Sequence, residues 1–400
     1  MNINVVIVGH VDHGKSTLIG RLLYDSESIK EGKLAEIQKL AEEYKKRFEF
    51  AYFLDAFEDE LKEERTIDTT GVMFKSKNHY MITDVPGHKE FIKNMLTGAS
   101  YADVAVLVVS CSQGVEEQTR RHTFLINMLG IKKIIVGVNK MDEVGYKKER
   151  FDEVKAQVSK LLDSFDFSNV SYIPISAMQG DNIYKGSEKI NWYNGPTLIE
   201  ALDKIKVERK ERLLRFVVQG TYQINSEKVA VGKVESGILK KEDELIFQPS
   251  GVRGKVEKIK VFEGEKSIAE EKDSVGIIFK KDLKRGDVGG LLNAPPLSTT
   301  EFLGEAVLLS DALQNGDSLQ LKCGTAKVDV KIDQIKEKID SETGKLIEKN
   351  PKKINKGDAA IIHFSTQPLV VEKFSEIPEL GRFVLVKNER NIGAGVVLDV

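Results

Sequence analysis

The spacing of hydrophobic residues changes its period near residue 207. Before that point, short apolar, β-branched runs occur at Val5 to Val8, Met81 to Thr83, Val104 to Val109, Ile134 to Val138 and Tyr172 to Ile175. Each gives way to a turn or a polar cluster. Short runs without alternation suit strands covered on both faces, so they predict a mostly parallel, doubly wound sheet flanked by helices. Helical spacing lies between them. Leu34, Ile37, Leu40, Ala41 and Tyr44 recur among lysines and glutamates over Lys30 to Arg47, which predicts an amphipathic surface helix. A second helix is expected over Thr197 to Ile205, after a Gly-Pro pair.

The charged stretch VERKERLL, residues 207 to 214, reads as a linker. Beyond it the period is two, in KVAVGKVESG, DELIFQPSG, VEKIKVF and SVGIIF, then EAVLLS, AKVDVKIDQIK, AAIIHF, PLVVEKF and RFVLV. Many short strands broken by Gly, Pro and Asp turns predict two antiparallel barrels, split near residue 298 after the turn Asn293 to Pro296. The expected plan is an α/β phosphate-loop domain over 1–208, a β-barrel over 209–297 and a second β-barrel over 298–400.

Composition narrows the class only a little. At 400 residues the chain is too long for one ordinary domain. With 60 basic against 62 acidic residues there is no global polyanion signal, so a nucleic-acid partner would need a local basic patch and is not expected from bulk charge. The two cysteines, Cys111 and Cys323, cannot form a disulfide framework; they read as packed thiols in a reducing compartment. The opening MNINVVIVGH has no basic leader, and no apolar run approaches the length of a membrane span, so a cytoplasmic chain without a membrane partner is expected.

The chemistry begins where the first strand ends. Gly9 to Ser16 reads GHVDHGKS, matching GxxxxGK followed by Ser or Thr, with Thr17 opening a helix. Backbone N–H groups of Gly9, His10, Val11, Asp12, His13 and Gly14 in such a loop can cradle phosphates, helped by the helix dipole. Lys15 would reach the β- and γ-phosphates and Ser16 would ligate Mg²⁺. The pair His10 and His13 could be taken for metal ligands, but no third ligand is evident in the sequence.

Asp84 to Gly87, DVPG, follows the third predicted strand. An aspartate there can hold Mg²⁺ through water, and the Gly87 N–H can meet a γ-phosphate. Asn139 to Asp142, NKMD, follows IIVGV, and Ser176 and Ala177 follow YIPI. Alone, NKMD is an ordinary polar turn. In strand order behind a phosphate loop it suggests a guanine site: the Asp142 carboxylate can accept from guanine N1–H and N2–H₂, a donor pair that adenine lacks. Asn139 would brace the loop, Lys140 would pack on the base, and the Ala177 N–H would donate to guanine O6.

Together these motifs resemble the translation-factor class of GTPases, and an α/β domain followed by two barrels is similar to that class over nearly the whole chain. Several stretches resemble more closely the GTPase subunit of bacterial sulfate adenylyltransferase: residues 116–142, residues 180–203, PSGVRGKVEKIKVFEGE, LKCGTAKVDVKI and the C-terminal GAGVV. That resemblance implies GTP and Mg²⁺ as cofactors and a catalytic adenylyltransferase subunit as partner. GTP hydrolysis would then drive adenylyl sulfate formation from ATP and sulfate. The chain carries no SGGxDS loop and no second GxxxxGK, consistent with adenylyl transfer lying elsewhere. KEKIDSETGKL and KGDAAI also resemble archaeal and eukaryotic elongation factor 1-alpha, which implies the alternative role of carrying aminoacyl-tRNA to the ribosome.

By either resemblance His88, after DVPG, orients the attacking water, and Thr66, in ELKEERTIDTTGV at residues 60–72, joins Mg²⁺ in the GTP state. The family usually reads GITID where this chain reads ERTID. Arg65 therefore replaces an isoleucine and cannot serve as an apolar gate beside Val11.

Overall fold

The computed structural model describes residues 2–28, 71–84, 102–207, 211–224, 227–262 and 264–400. The chain divides into two compact units, Met1–Glu208 with Ser341–Gly344, and Arg209–Asp340 with Lys345–Val400. The amphipathic helix expected over Lys30 to Arg47 lies outside the described residues.

The first unit is built on six strands: β1 (Asn2–Gly9), β2 (Gly71–Lys75), β3 (His79–Asp84), β4 (Val104–Ser110), β5 (Lys133–Asn139) and β6 (Ser168–Pro174). Their order is β2-β3-β1-β4-β5-β6. All neighbouring pairs are parallel except β2 with β3. Every residue of β4, VAVLVVS, is buried, which is why its sequence shows no alternation. The antiparallel β2 escapes the sequence reading because its signal is short. Val72 and Phe74 are buried while Met73 between them is 65% exposed, a period-two pattern of only three residues behind a long charged run.

Among the described residues the unit also has helices α1 (Lys15–Asp25), α2 (Glu117–Met128), α3 (Lys148–Leu162) and α4 (Leu198–Asp203). The helix expected from Thr197 is α4: the Thr197 hydroxyl accepts from the Glu200 N–H and the Glu200 carboxylate accepts from the Thr197 N–H, a reciprocal cap. Strand β1 lies between β3 and β4, so the strand order reverses around it. The crevice outside the carboxyl ends of the strands at such a reversal is where open α/β sheets bind ligands. Gly9, Ser110, Asn139 and Pro174 are the last residues of β1, β4, β5 and β6.

The second unit contains two larger antiparallel sheets. One has eight strands in the order Val252–Lys255, Glu244–Gln248, Val288–Leu291, Arg215–Ile224, Glu227–Ser236, Ser274–Ile278, Lys258–Val261 and Gly264–Lys266. It surrounds a core that includes Phe216, Val218, Leu245, Phe247, Ile259 and Ile277. The other, over Ser298 to Asp399, closes on itself because Ser318–Cys323 pairs with both Arg382–Lys387 and Ala326–Ile339. Phe302, Phe364 and Phe383 fill its separate core.

The strand Arg215–Ile224 directly follows the stretch read as a linker and was not among the expected strands. Phe216 and Val218 enter the eight-stranded core, while Val217 joins Val288, Val370, Ile377 and Leu380 in a seam between the sheets. Both faces are covered, so RFVV has no alternation to read. Beside that seam, Arg215 Nε donates to Glu372 at 2.5 Å, and Arg215 Nη1 donates to Leu214 O at 2.9 Å and Ala294 O at 3.0 Å.

Cys111 and Cys323 are both free and buried, and burial pushes the thiols up to about 11 and about 12, so they behave as packing groups. Among the described residues no helix is long and apolar enough to cross a membrane.

Candidate nucleotide-binding site

The phosphate loop is shaped by two glycines. Gly9 has φ +149 and Gly14 φ +89. A Cβ on Gly9 would lie 2.2 Å from Val108 O, and one on Gly14 would lie 2.4 Å from Asn139 Nδ2. Neither position admits a side chain. Gly14 also offers no side-chain cap to α1, and the first turn of α1 holds no acidic residue. Its leading N–H groups therefore suit an outside anion. Lys15 Nζ lies across the loop, donating to Gly9 O at 3.0 Å and His10 O at 2.7 Å, with Ser16 and Thr17 half-buried behind it.

Two residues that sequence reasoning missed hold the loop from α2. The Gly9 N–H donates to His122 Nδ1 at 3.2 Å, and the Val11 N–H donates to Gln118 Oε1 at 3.1 Å. Gln118 and His122 stand four residues apart, on one face of α2, and both are buried.

His13 is buried against β4. Its Nδ1 faces Val108 O at 3.4 Å, so that nitrogen carries the proton, and burial lowers its pKa to about 4. Among the described residues no group of three or more His, Cys, Asp or Glu could hold a metal ion.

On the base side, Asn139 joins three segments. Its Nδ2 donates to His13 O at 2.9 Å and its Oδ1 accepts from the Ala177 N–H at 2.9 Å. The expected free donor for guanine O6 is thus already committed, and O6 would share the Ala177 proton as a second acceptor. Asp142 Oδ1 accepts from Ser176 Oγ at 2.6 Å, which leaves Oδ2 of the half-buried carboxylate to face a ligand. Lys140 has φ +65, and its Nζ pairs with Glu143 at 3.0 Å. The fold therefore brings Gly9 to Thr17 together with Asn139, Lys140, Asp142, Ser176 and Ala177. The backbone of Asp84 ends β3 opposite Ile7. Thr66, Gly87 and His88 lie outside the described residues.

The elongation factor Tu GTP binding domain model matches residues 1–219, elongation factor Tu domain 2 matches 227–289, and the GTP-eEF1A C-terminal domain-like model matches 305–398. Elongation factor 1-alpha of Aeropyrum pernix is 42% identical over 422 residues, covering 100% of this chain and 97% of its own. This chain belongs to the elongation factor Tu and 1-alpha family of translation-factor GTPases. Elongation factor 1-alpha of Archaeoglobus fulgidus and of Pyrococcus furiosus are each 42% identical, both covering 100% of this chain and 98% of their own. The solved structure of sup35 complexed with GMPPNP is 27% identical and covers 100% of this chain and 94% of its own, with a TM-score of 0.47.

Full-length relatives named elongation factor 1-alpha overturn the expected membership in sulfate adenylyltransferase, and with it the catalytic adenylyltransferase subunit as partner. Two of the stretches that suggested that subunit are strand segments of the C-terminal closed sheet. LKCGTAKVDVKI forms a strand, turn and strand, and GAGVV lies in a strand where all five residues are buried. As a member of this family the translation-factor GTPase binds GTP in a domain followed by two β-barrels.

Proposed function

We propose that this GTPase works as an elongation factor 1-alpha, carrying aminoacyl-tRNA to the ribosome in its GTP state. The observation that carries the reading is full-length similarity at 42% identity to relatives of that name. The near-neutral charge of the chain then matters little, because RNA contact depends on local basic patches. We take the modules as 1–208, 209–297 and 298–400, since the sheets of the second unit run over 215–291 and 298–399.

The α1 N-terminus and Lys15 suit the phosphates, and Asn139, Asp142 and Ser176 suit guanine. The Mg²⁺ donor set would be Ser16, Thr66 and Asp84, two hydroxyls and a carboxylate, hard oxygens of the kind the ion takes. When bound, Mg²⁺ neutralises charge developing on the β- and γ-phosphate oxygens. Ser16 contributes from the first turn of α1, where the helix dipole also favours the phosphates. Gln118 and His122 fix the loop to α2 by accepting from the Val11 and Gly9 N–H groups, so these two donors, expected in the phosphate cradle, are committed to α2 instead. His88 takes the water-orienting role by resemblance.

Single-turnover hydrolysis tests the reading. Programmed ribosomes with aminoacyl-tRNA should accelerate GTP hydrolysis by the native chain, and His88→Ala should slow the stimulated rate by at least about a hundredfold. A native rate indifferent to ribosomes would contradict it.

A further inference from the structure

Two loops face the base, one running from Asn139 to Lys147 after β5 and one from Ile175 to Asn182 after β6. Near the base they are joined by the Ser176 to Asp142 bond and by the Met141 N–H donating to Ile175 O at 3.2 Å. A second tie joins them farther out. Tyr146, held at φ +59 with its N–H on Met141 O, donates its phenol to Asp181 Oδ2 at 2.8 Å.

Asp181 is placed to pass that constraint on. Its backbone carbonyl accepts from the Ser176 N–H at 3.2 Å, and the Gly180 N–H returns to Ser176 O at 2.8 Å. Its side chain is only 11% exposed, and its Oδ1 accepts from Ser187 Oγ at 2.6 Å. The residue whose main chain holds Ser176 therefore has its side chain gripped by the other loop. Tyr146 is fixed in turn: Trp192 Nε1 donates to its carbonyl at 2.9 Å, and Lys189 Nζ lies 5.2 Å from its ring centroid and 3.3 Å from its hydroxyl. Burial, then the bond to Asp181, raise the Tyr146 pKa, so the phenol keeps its proton and acts as the donor.

We propose that Tyr146 and Asp181 are positioning residues for base recognition: their tie sets the spacing of the two loops and thereby aims the Asp142 carboxylate at N1–H and N2–H₂ of a guanine nucleotide. The inference rests on the reading that Asp142 recognises guanine. A phenol to carboxylate bond holds a loop with less freedom than packing alone, and a misaimed carboxylate loses two donors from guanine but only one from hypoxanthine.

The test compares GDP with IDP, which lacks the N2 amino group, by equilibrium titration of the full chain. Tyr146→Phe keeps the ring beneath Lys189 and removes only the hydroxyl. It should weaken GDP by about three- to tenfold and IDP by less than about twofold, so the preference for GDP falls. Asp181→Asn, which keeps the side chain's shape, should move the preference the same way. An unchanged ratio of the two affinities in both variants, whether neither nucleotide is affected or both weaken equally, would overturn the proposal. Asp142→Ala serves as the separate check. If that variant keeps the native preference for GDP, the guanine reading itself fails, whereas a loss there beside an unchanged Tyr146→Phe condemns only the tie.

Discussion

Asp142→Asn is expected to weaken GDP binding by about a thousandfold and to make XDP the preferred nucleotide. The carboxylate only accepts; Ser176 Oγ takes one lone pair of its Oδ1, so Oδ2 and the second Oδ1 lone pair can accept from the base. Guanine meets these acceptors with donors at N1 and N2. An asparagine amide would present N–H toward the N2 amino group and leave donors facing donors. Xanthine carries a carbonyl at that position, which the same amide satisfies. A site built around hydrogen bonds rejects the wrong partner strongly because buried polar groups go unpaired. Equilibrium titration of native and variant chains with GDP and XDP checks this, and a variant that still prefers GDP would contradict the assigned role of Asp142.

The largest stability effect is expected at Arg215, in the second unit. Arg215→Met should destabilise the second unit by about 3–5 kcal/mol, the cost of breaking a buried ion pair while its partner stays buried. The side chains of Arg215 and Glu372 are 3% and 11% exposed, so water cannot replace the lost guanidinium. Three backbone carbonyls, Leu214 O, Ala294 O and Pro295 O, also lose a donor. Replacing both partners with apolar residues, as in the double variant Arg215→Met with Glu372→Leu, should recover most of the loss because no lone charge is left behind. Urea unfolding of the full chain measures both. A single variant within about 1 kcal/mol of native would show that the pair contributes little.

These two cases mark what the sequence can and cannot convey. The nucleotide motifs were legible because their spacing is local: Gly9 to Ser16 spans a single strand-to-helix connection, and NKMD runs from the end of β5 into the turn after it. Their strand context was legible too, since β1, β4 and β5 are apolar runs ended by polar turns. Arg215 was opaque, because its partner lies 157 residues away and an arginine opening RFVV looks like the end of a charged linker. Gln118 and His122 were overlooked for a related reason. Their acceptors face the phosphate loop more than a hundred residues back, and only the fold shows that the polar pair points inward.

The choice between partners failed for another reason. Similarity in LKCGTAKVDVKI and GAGVV reflects the demands of a closed sheet, which members of one architecture share whatever they bind. Full-length similarity separated the readings where fragments could not.

The most direct measurement is the half-life of the ester bond in aminoacyl-tRNA, followed with the purified chain bound to GTP or to GDP. A carrier that encloses the ester should slow its hydrolysis strongly in the GTP state and release that protection in the GDP state. Equal deacylation rates with GTP, with GDP and without the protein would contradict the proposed function.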